Sequence, residues 1–501
     1  MSESITAPPP GQPAQADAVE TVDVAAVNRT EQRSLYKKRE KIFPKRARGT
    51  FRRLKWVVMA VTLSVYYLAP WLRWDRGPTA PDQAILIDLP ARRFYFFFIE
   101  IWPQEVYYIT GLLIIAALTL FLVTSLAGRV WCGYTCPQTV WTDLFLVVER
   151  AIEGDRSARI RLDRGRWTMG KLTKRVSKHA IWLLIAVCTG GAWVFYFADA
   201  PTLAGQLLSF EAPSVAYIAI AVLTGTTYLL GGLAREQVCI YMCPWPRIQA
   251  AMIDEESLIV SYHPGRGEPR GPIRKGQDRT GTGDCIACNQ CVVVCPMGID
   301  IRDGMQLECI SCALCIDACN EVMDKVGLPK NLISYDTIAN VGRRERGERT
   351  RIHPVRVRTL IYVALIALVS LIMLFGLTTR ADLDVNVLRD RNPLFVTLSD
   401  GSIRNGYTLK ILNKVHAERS FDLRLEGLDG AGRVKVIGEA TDAGPRFNVG
   451  PDRLRSFRIF VLAPRAALGA GANDVTFVLT ETGGGDEARY DSTFRAPERD
   501  G

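Results

Sequence analysis

Eight cysteines stand close together between positions 285 and 319, in a pattern that occurs twice. Each run has the spacing C-x2-C-x2-C-x3-C, which bacterial ferredoxins use to hold two 4Fe-4S clusters. Three thiolates of a run bind one cluster, and the fourth reaches across to the other. The predicted ligands are Cys285, Cys288, Cys291 and Cys319 for the first cluster, and Cys309, Cys312, Cys315 and Cys295 for the second.

A pair of zinc sites is the alternative use of these thiols, but zinc sites rarely repeat this run with all eight cysteines. Pro296 follows the first run, whereas Asn320 stands where the second run would have its proline. That proline shapes a turn and is not a ligand, so the departure weakens the prediction little. No cysteine precedes Cys132 or follows Cys319, and this clustering indicates metal ligation in a reducing compartment rather than a disulfide scaffold.

Two further cysteine pairs have the spacing C-x3-C-P, and each follows a predicted membrane span. They are Cys132 with Cys136, and Cys239 with Cys243. Residues four apart share one helix face, so each pair could clamp a soft metal, or all four thiols could form one site. Thiolates favour Cu(I), so copper is the predicted guest. Buried helix ends and a metal-free redox dithiol are the alternatives, and Cys188 is interpreted as a packing residue.

Five apolar stretches without a charged residue are long enough to cross a bilayer, whose ~30 Å core needs about 20 helical residues. They are 56–72, 107–128, 180–198, 214–234 and 359–379. The stretches 94–103 and 140–148 are too short, and their aromatic content predicts an interfacial position. No histidine lies within a span, which argues against a membrane-bound b-type haem.

The basic residues predict the orientation of these spans. Lysine and arginine are concentrated in 33–55, in the loop between the second and third spans, and before the fifth span, whereas 199–213 has none. The N-terminus and the cysteine runs are therefore predicted to face the cytoplasm of a bacterial inner membrane, with 380–501 outside. Basic loops at the membrane surface account for the net charge of +10. The predicted partner is therefore membrane lipid and not nucleic acid.

The sequence thus predicts a multidomain membrane protein in five parts. A disordered basic region over 1–50 precedes a four-span helical membrane domain over 51–250. A cytoplasmic α+β ferredoxin domain over 251–345 follows, and then a fifth span over 359–379. The outer part, 380–501, alternates polar and apolar residues between turn signals and contains no cysteine, which predicts a β-sandwich.

The residues around the cysteines resemble the FixG/RdxA family of cytochrome c oxidase accessory proteins, also known as CcoG. The resemblance covers most of residues 50–380 and is carried by 87–95, 131–137, 241–244, 258–262, 266–271 and 283–325. The order of spans, two C-x3-C-P pairs, two cysteine runs and a fifth span is far more selective than a ferredoxin run alone. The outer part is similar to the immunoglobulin-like C-terminal domain of the same family.

The resemblance implies a role in assembling the cbb-type oxidase. It implies an enzyme that reduces Cu(II) to Cu(I) for the oxidase catalytic subunit or its copper-delivery factors, with an unidentified electron donor. The four thiols of the two pairs would be its catalytic copper site. A quinol dehydrogenase or electron relay of the NapH/NosR type and a non-catalytic assembly scaffold are the alternatives. The outer β-domain favours the reductase and the scaffold, because NapH-like proteins lack it.

Overall fold

The structure, a computed structural model, describes residues 19–28, 40–78, 80–273, 280–415, 417–437, 445–483 and 485–498. Its contacts divide the chain into two compact units. The first comprises Met1–Leu72 with Gln83–Met373, and the second comprises Arg73–Asp82 with Leu374–Gly501. Each unit has a hydrophobic core of its own.

Five helices among the described residues are long and apolar enough to span a membrane, as the sequence predicts. They are Thr50–Trp71, Pro103–Ala127, Met169–Val194, Ser214–Ala234 and Val357–Thr378. Most of their apolar side chains are exposed, and none in the most apolar window of the last helix is buried. Apolar surface of this extent suits lipid and not water, so the chain is a membrane protein.

The helical part of the first unit also contains short helices between the spans. Its elements are α1 Thr50–Leu68, α2 Tyr107–Ala127, α3 Val130–Tyr134, α4 Pro137–Glu153, α5 Arg156–Arg164, α6 Met169–Val194, α7 Ala200–Leu208, α8 Ser214–Thr227 and α9 Trp245–Met252. Two π-helical segments, Tyr228–Ala234 and Val238–Met242, connect α8 to α9. π-Helical segments are rare, and those that occur are often found at functional sites.

The two apolar stretches predicted to lie at the interface form regular elements. The stretch 94–103 contributes to an antiparallel sheet of β1 (Ile85–Asp88), β2 (Arg93–Phe96) and β3 (Ile99–Ile101). The stretch 140–148 lies within α4, whose Phe145 is fully buried and stacks on Trp182 of α6 at 5.3 Å between ring centroids. Tertiary packing on α6, which hydropathy does not reveal, therefore accounts for the apolar face of α4.

The cysteine-rich region is a small α+β fold, as predicted. Its elements are β4 Ile259–Tyr262, α10 Pro264–Gly267, α11 Gln290–Val294, α12 Leu314–Val326, β5 Ile333–Asp336 and α13 Ile338–Glu345. Strands β4 and β5 pair antiparallel. Helices α11 and α12 begin at equivalent positions, one residue before the third cysteine of each run. The repeat in sequence is therefore a repeat in structure.

Part of the region that the sequence predicts to be disordered, 1–50, packs on this fold. The described residues before α1 are 19–28 and 40–49, and the rest of this region lies outside the described residues. The Val22 amide donates to the carbonyl oxygen of Cys288 at 3.3 Å. The described segments therefore pack against the first cysteine run, and the backbone hydrogen bond satisfies polar groups of both partners.

The second unit comprises the segment Arg73–Asp82, the end of the fifth long helix, α14 Val357–Thr378, and a β-sandwich, as predicted for 380–501. Its strands are β6 Leu383–Arg389, β7 Val396–Thr397, β8 Ile403–Asn413, β9 Arg419–Gly427, β10 Arg433–Val436, β11 Arg446–Val449, β12 Arg453–Ala463, β13 Ala472–Glu481 and β14 Glu487–Arg495. One sheet has the order β10-β12-β8-β6, with β7 beside β8, and the other has the order β11-β9-β13-β14. Fully buried Tyr407 and Phe477 pack edge to face at 5.0 Å between these sheets.

Candidate iron-sulfur and thiol site

The two cysteine runs share an unusual backbone conformation. Left-handed φ angles occur at equivalent positions: 54° at Ala287 and 57° at Asn289 in the first run, and 53° at Ser311 and 59° at Ala313 in the second. Such turns direct successive amides into a concave nest that favours anions. In the second run the Ser311 amide hydrogen-bonds the sulfur of Cys309. Amides that donate to cluster sulfurs help to set the reduction potential.

The eight thiols fall into two groups in space. Burial raises the pKa of Cys319, from the second run, and the neighbouring thiol of Cys288 raises it further. Burial likewise raises the pKa of Cys295, from the first run, and the nearby thiol of Cys312 adds to the shift. The fourth cysteine of each run therefore lies beside the other run. The two ligand sets, which stay a prediction, have the same crossed arrangement.

The second thiol group lines a cavity whose other walls are mainly aliphatic and include no carboxylate. Its thiols are those of Cys295, Cys309, Cys312 and Cys315, and Cys291 of the first group also lines it. Burial raises the pKa of Cys309 to about 11 and that of Cys295 to about 12. A thiol in such surroundings stays protonated unless a metal replaces the proton. Four soft donors around an apolar cavity therefore fit a 4Fe-4S cluster.

An arginine accompanies each thiol group. Arg302 opposes the effect of burial on the pKa of Cys291, and Arg129 does the same for Cys309. A cation beside a cluster offsets the negative charge of the thiolates. The sequence analysis missed both arginines, although Arg129 stands three residues before the first C-x3-C-P pair and so had a positional signal.

The two C-x3-C-P pairs have matching geometry. The first cysteine of each pair lies in a helical turn, Cys132 in α3 and Cys239 in Val238–Met242. The second cysteine is extended, with ψ of 128° at Cys136 and 123° at Cys243. The proline that follows begins or precedes the next helix, α4 or α9. The second thiol of each pair thus stands near a helix N-terminus.

A buried polar network holds the first pair. The Cys132 thiol donates to Gln249 Oε1 at 3.1 Å, and Arg129 Nε donates to the same oxygen at 3.2 Å. Gln249 is fully buried on α9, which follows the second pair, so this network links the two pairs. Burial raises the pKa of Cys239 to about 12, and the other pair thiols add to the shift. Nothing local in the sequence distinguishes Gln249 from an ordinary helix residue.

The pairs adjoin the second thiol group directly. Cys132 and Cys239 belong to the same apolar cluster as the four thiols of that group. A Cβ at Gly133 would lie 3.0 Å from Cys312 Cα, so the two backbones touch. The Tyr134 hydroxyl donates to the carbonyl oxygen of Cys312 at 3.3 Å. The first pair and the second cysteine run are therefore in van der Waals contact.

The four pair thiols are neighbours without forming a closed site for one ion. Cys132, Cys136 and Cys243 each raise the pKa of Cys239, after the larger effect of burial. Among the residues that the structure describes, no three His, Cys, Asp or Glu side chains converge closely enough to hold a single metal ion. Cys188 is exposed on α6 and does not belong to this apolar cluster.

Three protein families match successive parts of the chain. Residues 109–153 match a 4Fe-4S binding domain, 234–338 match a 4Fe-4S dicluster domain, and 373–497 match the "IG-like fold at C-terminal of FixG". The "Nitrogen fixation protein FixG" of Rhizobium meliloti is 53% identical over 517 residues, which cover 97% of this chain and 98% of that protein. The chain belongs to the FixG/RdxA family of membrane ferredoxin-type proteins.

Two further FixG/RdxA relatives come from Cereibacter sphaeroides. Protein RdxB is 58% identical over 398 residues, 79% of this chain and 83% of RdxB. Protein RdxA is 51% identical over 452 residues, 89% of this chain and 93% of RdxA. The dicluster match and membership of the FixG/RdxA family confirm the prediction that this is an iron-sulfur protein with two 4Fe-4S clusters. The match over 373–497 confirms the predicted immunoglobulin-like C-terminal domain. The match over 109–153 also contains Cys132 and Cys136.

Proposed function

We propose that this FixG/RdxA-family protein passes electrons from its clusters to Cu(II) and supplies Cu(I) for assembly of the cbb-type cytochrome c oxidase. The observation that carries the proposal is the common apolar cluster of Cys132, Cys239 and the second thiol group. In this proposal, electrons that leave the iron-sulfur cluster of the second thiol group pass to the thiols of the two pairs. The pairs are therefore the proposed exit of the electron path.

The chemistry of the pairs favours copper as the ion reduced there. Cu(II) prefers nitrogen and oxygen ligands in tetragonal geometry, whereas Cu(I) prefers thiolates. A thiolate site therefore stabilises the product ion and increases the driving force for reduction. Cys243 is exposed and Cys132 is buried, so the pairs reach from the surface to the second thiol group. In this proposal copper enters at Cys243 and receives its electron near Cys132.

The reductase accounts for more of the structure than a non-catalytic scaffold does. A non-catalytic scaffold does not require buried thiols beside an iron-sulfur cluster, whereas a reductase requires them to bind copper and receive electrons. The immunoglobulin-like domain gives the reductase a second function, docking of the oxidase catalytic subunit or a copper-delivery factor. In the proposed topology this domain is periplasmic, and the N-terminus and clusters are cytoplasmic.

The topology is tested with a reporter that is active only in the periplasm. Five spans and the concentration of arginine in alternate loops support the orientation. A fusion at Gly501 is expected to be active, and a fusion after Lys325 silent. The reverse pattern would contradict the orientation.

The reductase activity is tested on anaerobically purified protein. The clusters are reduced, excess reductant is removed, and Cu(II) is added with a chelator specific for Cu(I). Roughly two Cu(I) per chain are expected from the clusters, because each 4Fe-4S cluster supplies one electron. Cluster-free protein is the control for reduction by thiols alone. Clusters that stay reduced in the presence of Cu(II) would refute the proposal.

A further inference from the structure

The two C-x3-C-P pairs are preceded by the same break in the backbone, four residues before the first cysteine of each pair. Gly128 directly follows the span Pro103–Ala127 and has φ 56° and ψ −123°. Arg235 directly follows the span Ser214–Ala234 and has φ 47° and ψ −114°. Glycine adopts this conformation readily because it has no Cβ, whereas other residues rarely do. The arginine is therefore strained, and such outliers cluster at functional sites.

The side chain of Arg235 forms bonds that a glycine could not form. Its Nη2 donates to Glu149 Oε2 at 2.9 Å, and its Nε donates to the carbonyl oxygen of Gly232 at 2.8 Å. Glu149 is buried on α4, the helix that begins at Pro137 directly after the first pair. Charge-assisted hydrogen bonds of this kind are among the stronger ones. The bond to Glu149 therefore ties the break before the second pair to the helix after the first pair.

Gln138 forms a second link between the two pairs. It lies in the first turn of α4, two residues after Cys136. Its Nε2 donates to the carbonyl oxygens of Leu230 at 2.8 Å and Arg235 at 3.1 Å. The helix that follows the first pair thus holds the break before the second pair through two side chains, Glu149 and Gln138.

The carbonyl group of Arg235 also begins the turn that carries the second pair. Its oxygen accepts from the Val238 amide at 3.2 Å, and the Val238 carbonyl oxygen accepts from the Cys243 amide at 2.8 Å. Cys239 lies within this turn, so a shift of Arg235 moves both thiols of the second pair. Burial raises the pKa of Cys239, and the thiol of Cys136 adds to the shift, which shows that thiols of the two pairs are neighbours.

We propose that Arg235 and Gln138 are positioning residues of the copper site, which hold the second pair beside the first so that one thiolate from each pair binds the same Cu(I) ion. Among the described residues, no three His, Cys, Asp or Glu side chains converge on one ion, so a bridge between two thiols is the site that the pairs offer. Soft thiolates suit Cu(I), and residues behind the ligands fix their orientation. This inference rests on the proposed function for the identity of the metal.

Competition for Cu(I) tests these residues in the full-length protein. The protein, with its clusters intact, is kept anaerobic in detergent and titrated with Cu(I) against bicinchoninate, a chelator of Cu(I). Arg235→Gly removes the guanidinium and relieves the backbone, whereas Gln138→Leu removes the amide donor with little change in size. Each is expected to weaken Cu(I) binding roughly 10- to 100-fold, the usual effect of altering a partner behind a metal ligand. Arg166→Gly is the matched control, because it makes the same change at an exposed loop residue outside the site.

Iron-sulfur absorbance and thermal unfolding show whether each variant is folded. Wild-type protein is expected to bind about one Cu(I) per chain tightly, since the two pairs share the ion. Tight binding of two ions per chain, no binding by the wild type, or wild-type affinity in both folded variants would overturn the inference. A lower unfolding temperature with unchanged Cu(I) affinity would overturn it as well, because that result shows a structural role alone.

Addition of Cu(II) to reduced clusters separates this inference from the proposed function. Clusters that stay reduced, together with weaker Cu(I) binding by the two variants, refute copper reduction and support the positioning role. Clusters that Cu(II) oxidises, together with unchanged Cu(I) affinity in both variants, support copper reduction and refute the positioning role.

Discussion

Gly133, between the two thiols of the first pair, lies directly on the backbone of Cys312 in the second cysteine run. A Cβ at Gly133 would lie 3.0 Å from Cys312 Cα and 2.6 Å from the carbonyl oxygen of Ile310. Real Cβ atoms do not approach backbone this closely, so glycine is required by space and not by a special φ angle. The contact joins the membrane domain to the ferredoxin fold through main chain, which fixes the separation of the first pair from the second thiol group.

Gly133→Ala is expected to push these backbones apart, which slows electron transfer to the pair thiols and destabilises the protein by about 1–3 kcal/mol, the usual cost of overpacking. Thermal unfolding by tryptophan fluorescence and the rate of cluster oxidation by Cu(II) measure the two effects. Gly170→Ala is the control, because a Cβ at this α6 position meets nothing within 4 Å. Equal behaviour of the two variants would show that the contact at Gly133 is unimportant.

The crossed ligand sets predict an unusual pattern of iron loss. Cys295→Ser alone should lower the iron content from about eight to about four per chain, because one of the two cubanes is lost. Cys295→Ser with Cys309→Ser should still retain about four, since both belong to the second set. Cys295→Ser with Cys288→Ser should remove nearly all iron. Iron retention that follows the order of the cysteines in sequence, run by run, would refute the crossing.

Replacement of Ala287 by glycine should relieve backbone strain at this position. Its φ of 54° is left-handed, a conformation that costs an alanine roughly 1–2 kcal/mol and a glycine little. Ala287→Gly is therefore expected to hold the first cluster to a higher temperature, and Ala287→Val to lose it earlier, because a β-branched residue tolerates this region worst. Anaerobic heating followed by iron-sulfur absorbance measures this order. A more stable valine variant would contradict the conformational account.

Asp143 should contribute stability at neutral pH that is lost in acid. Burial alone would raise its pKa, but Lys55 and Arg52 outweigh burial and hold the pKa of this carboxyl below its ordinary value. Arg52 lies 2.9 Å from the carboxylate. Because the folded-state pKa is lowered, the contribution is complete above the unfolded-state pKa of about 4 and disappears as the pH falls through the folded value.

Asp143→Asn is accordingly expected to cost roughly 3–5 kcal/mol at pH 7, since it leaves two buried cations without their partner. Thermal unfolding in detergent at several pH values measures this difference, which should shrink as the pH falls below about 4. The control is Glu321→Gln, whose half-exposed pair with Lys325 should contribute no more than about 0.5 kcal/mol. A difference independent of pH would exclude the ionised carboxylate as its source.

The sequence was informative wherever local spacing decides the structure. The cysteine spacing predicts the two clusters, and the alternation along β8 is visible as alternate burial in the strand. Contacts between distant parts of the chain could not be predicted. The first span was expected to begin at 56, yet α1 begins at Thr50, because the Phe51 and Arg52 amides donate to the Asp317 carboxylate at 3.2 and 2.7 Å.

The site shows the same division. The pair thiols were found by their spacing, whereas Arg129 and Gln249, which hold Cys132, come from separate parts of the chain and have no shared pattern. The contact of Gly133 with Cys312 likewise joins the membrane domain to the ferredoxin fold. Hydropathy and motif spacing describe single segments, so they miss polar groups whose partners lie more than a hundred residues away.

The central claim is that the pair thiols carry electrons from the clusters to copper. The most direct measurement mixes reduced protein anaerobically with Cu(II) and follows cluster oxidation and Cu(I) formation together. Wild type and Cys188→Ser, which alters a cysteine outside the site, are predicted to oxidise their clusters at the same rate. The double variant Cys136→Ser/Cys243→Ser is predicted to keep its iron and its membrane insertion but to lose both signals. Oxidation of its clusters by Cu(II) at the wild-type rate would contradict the claim.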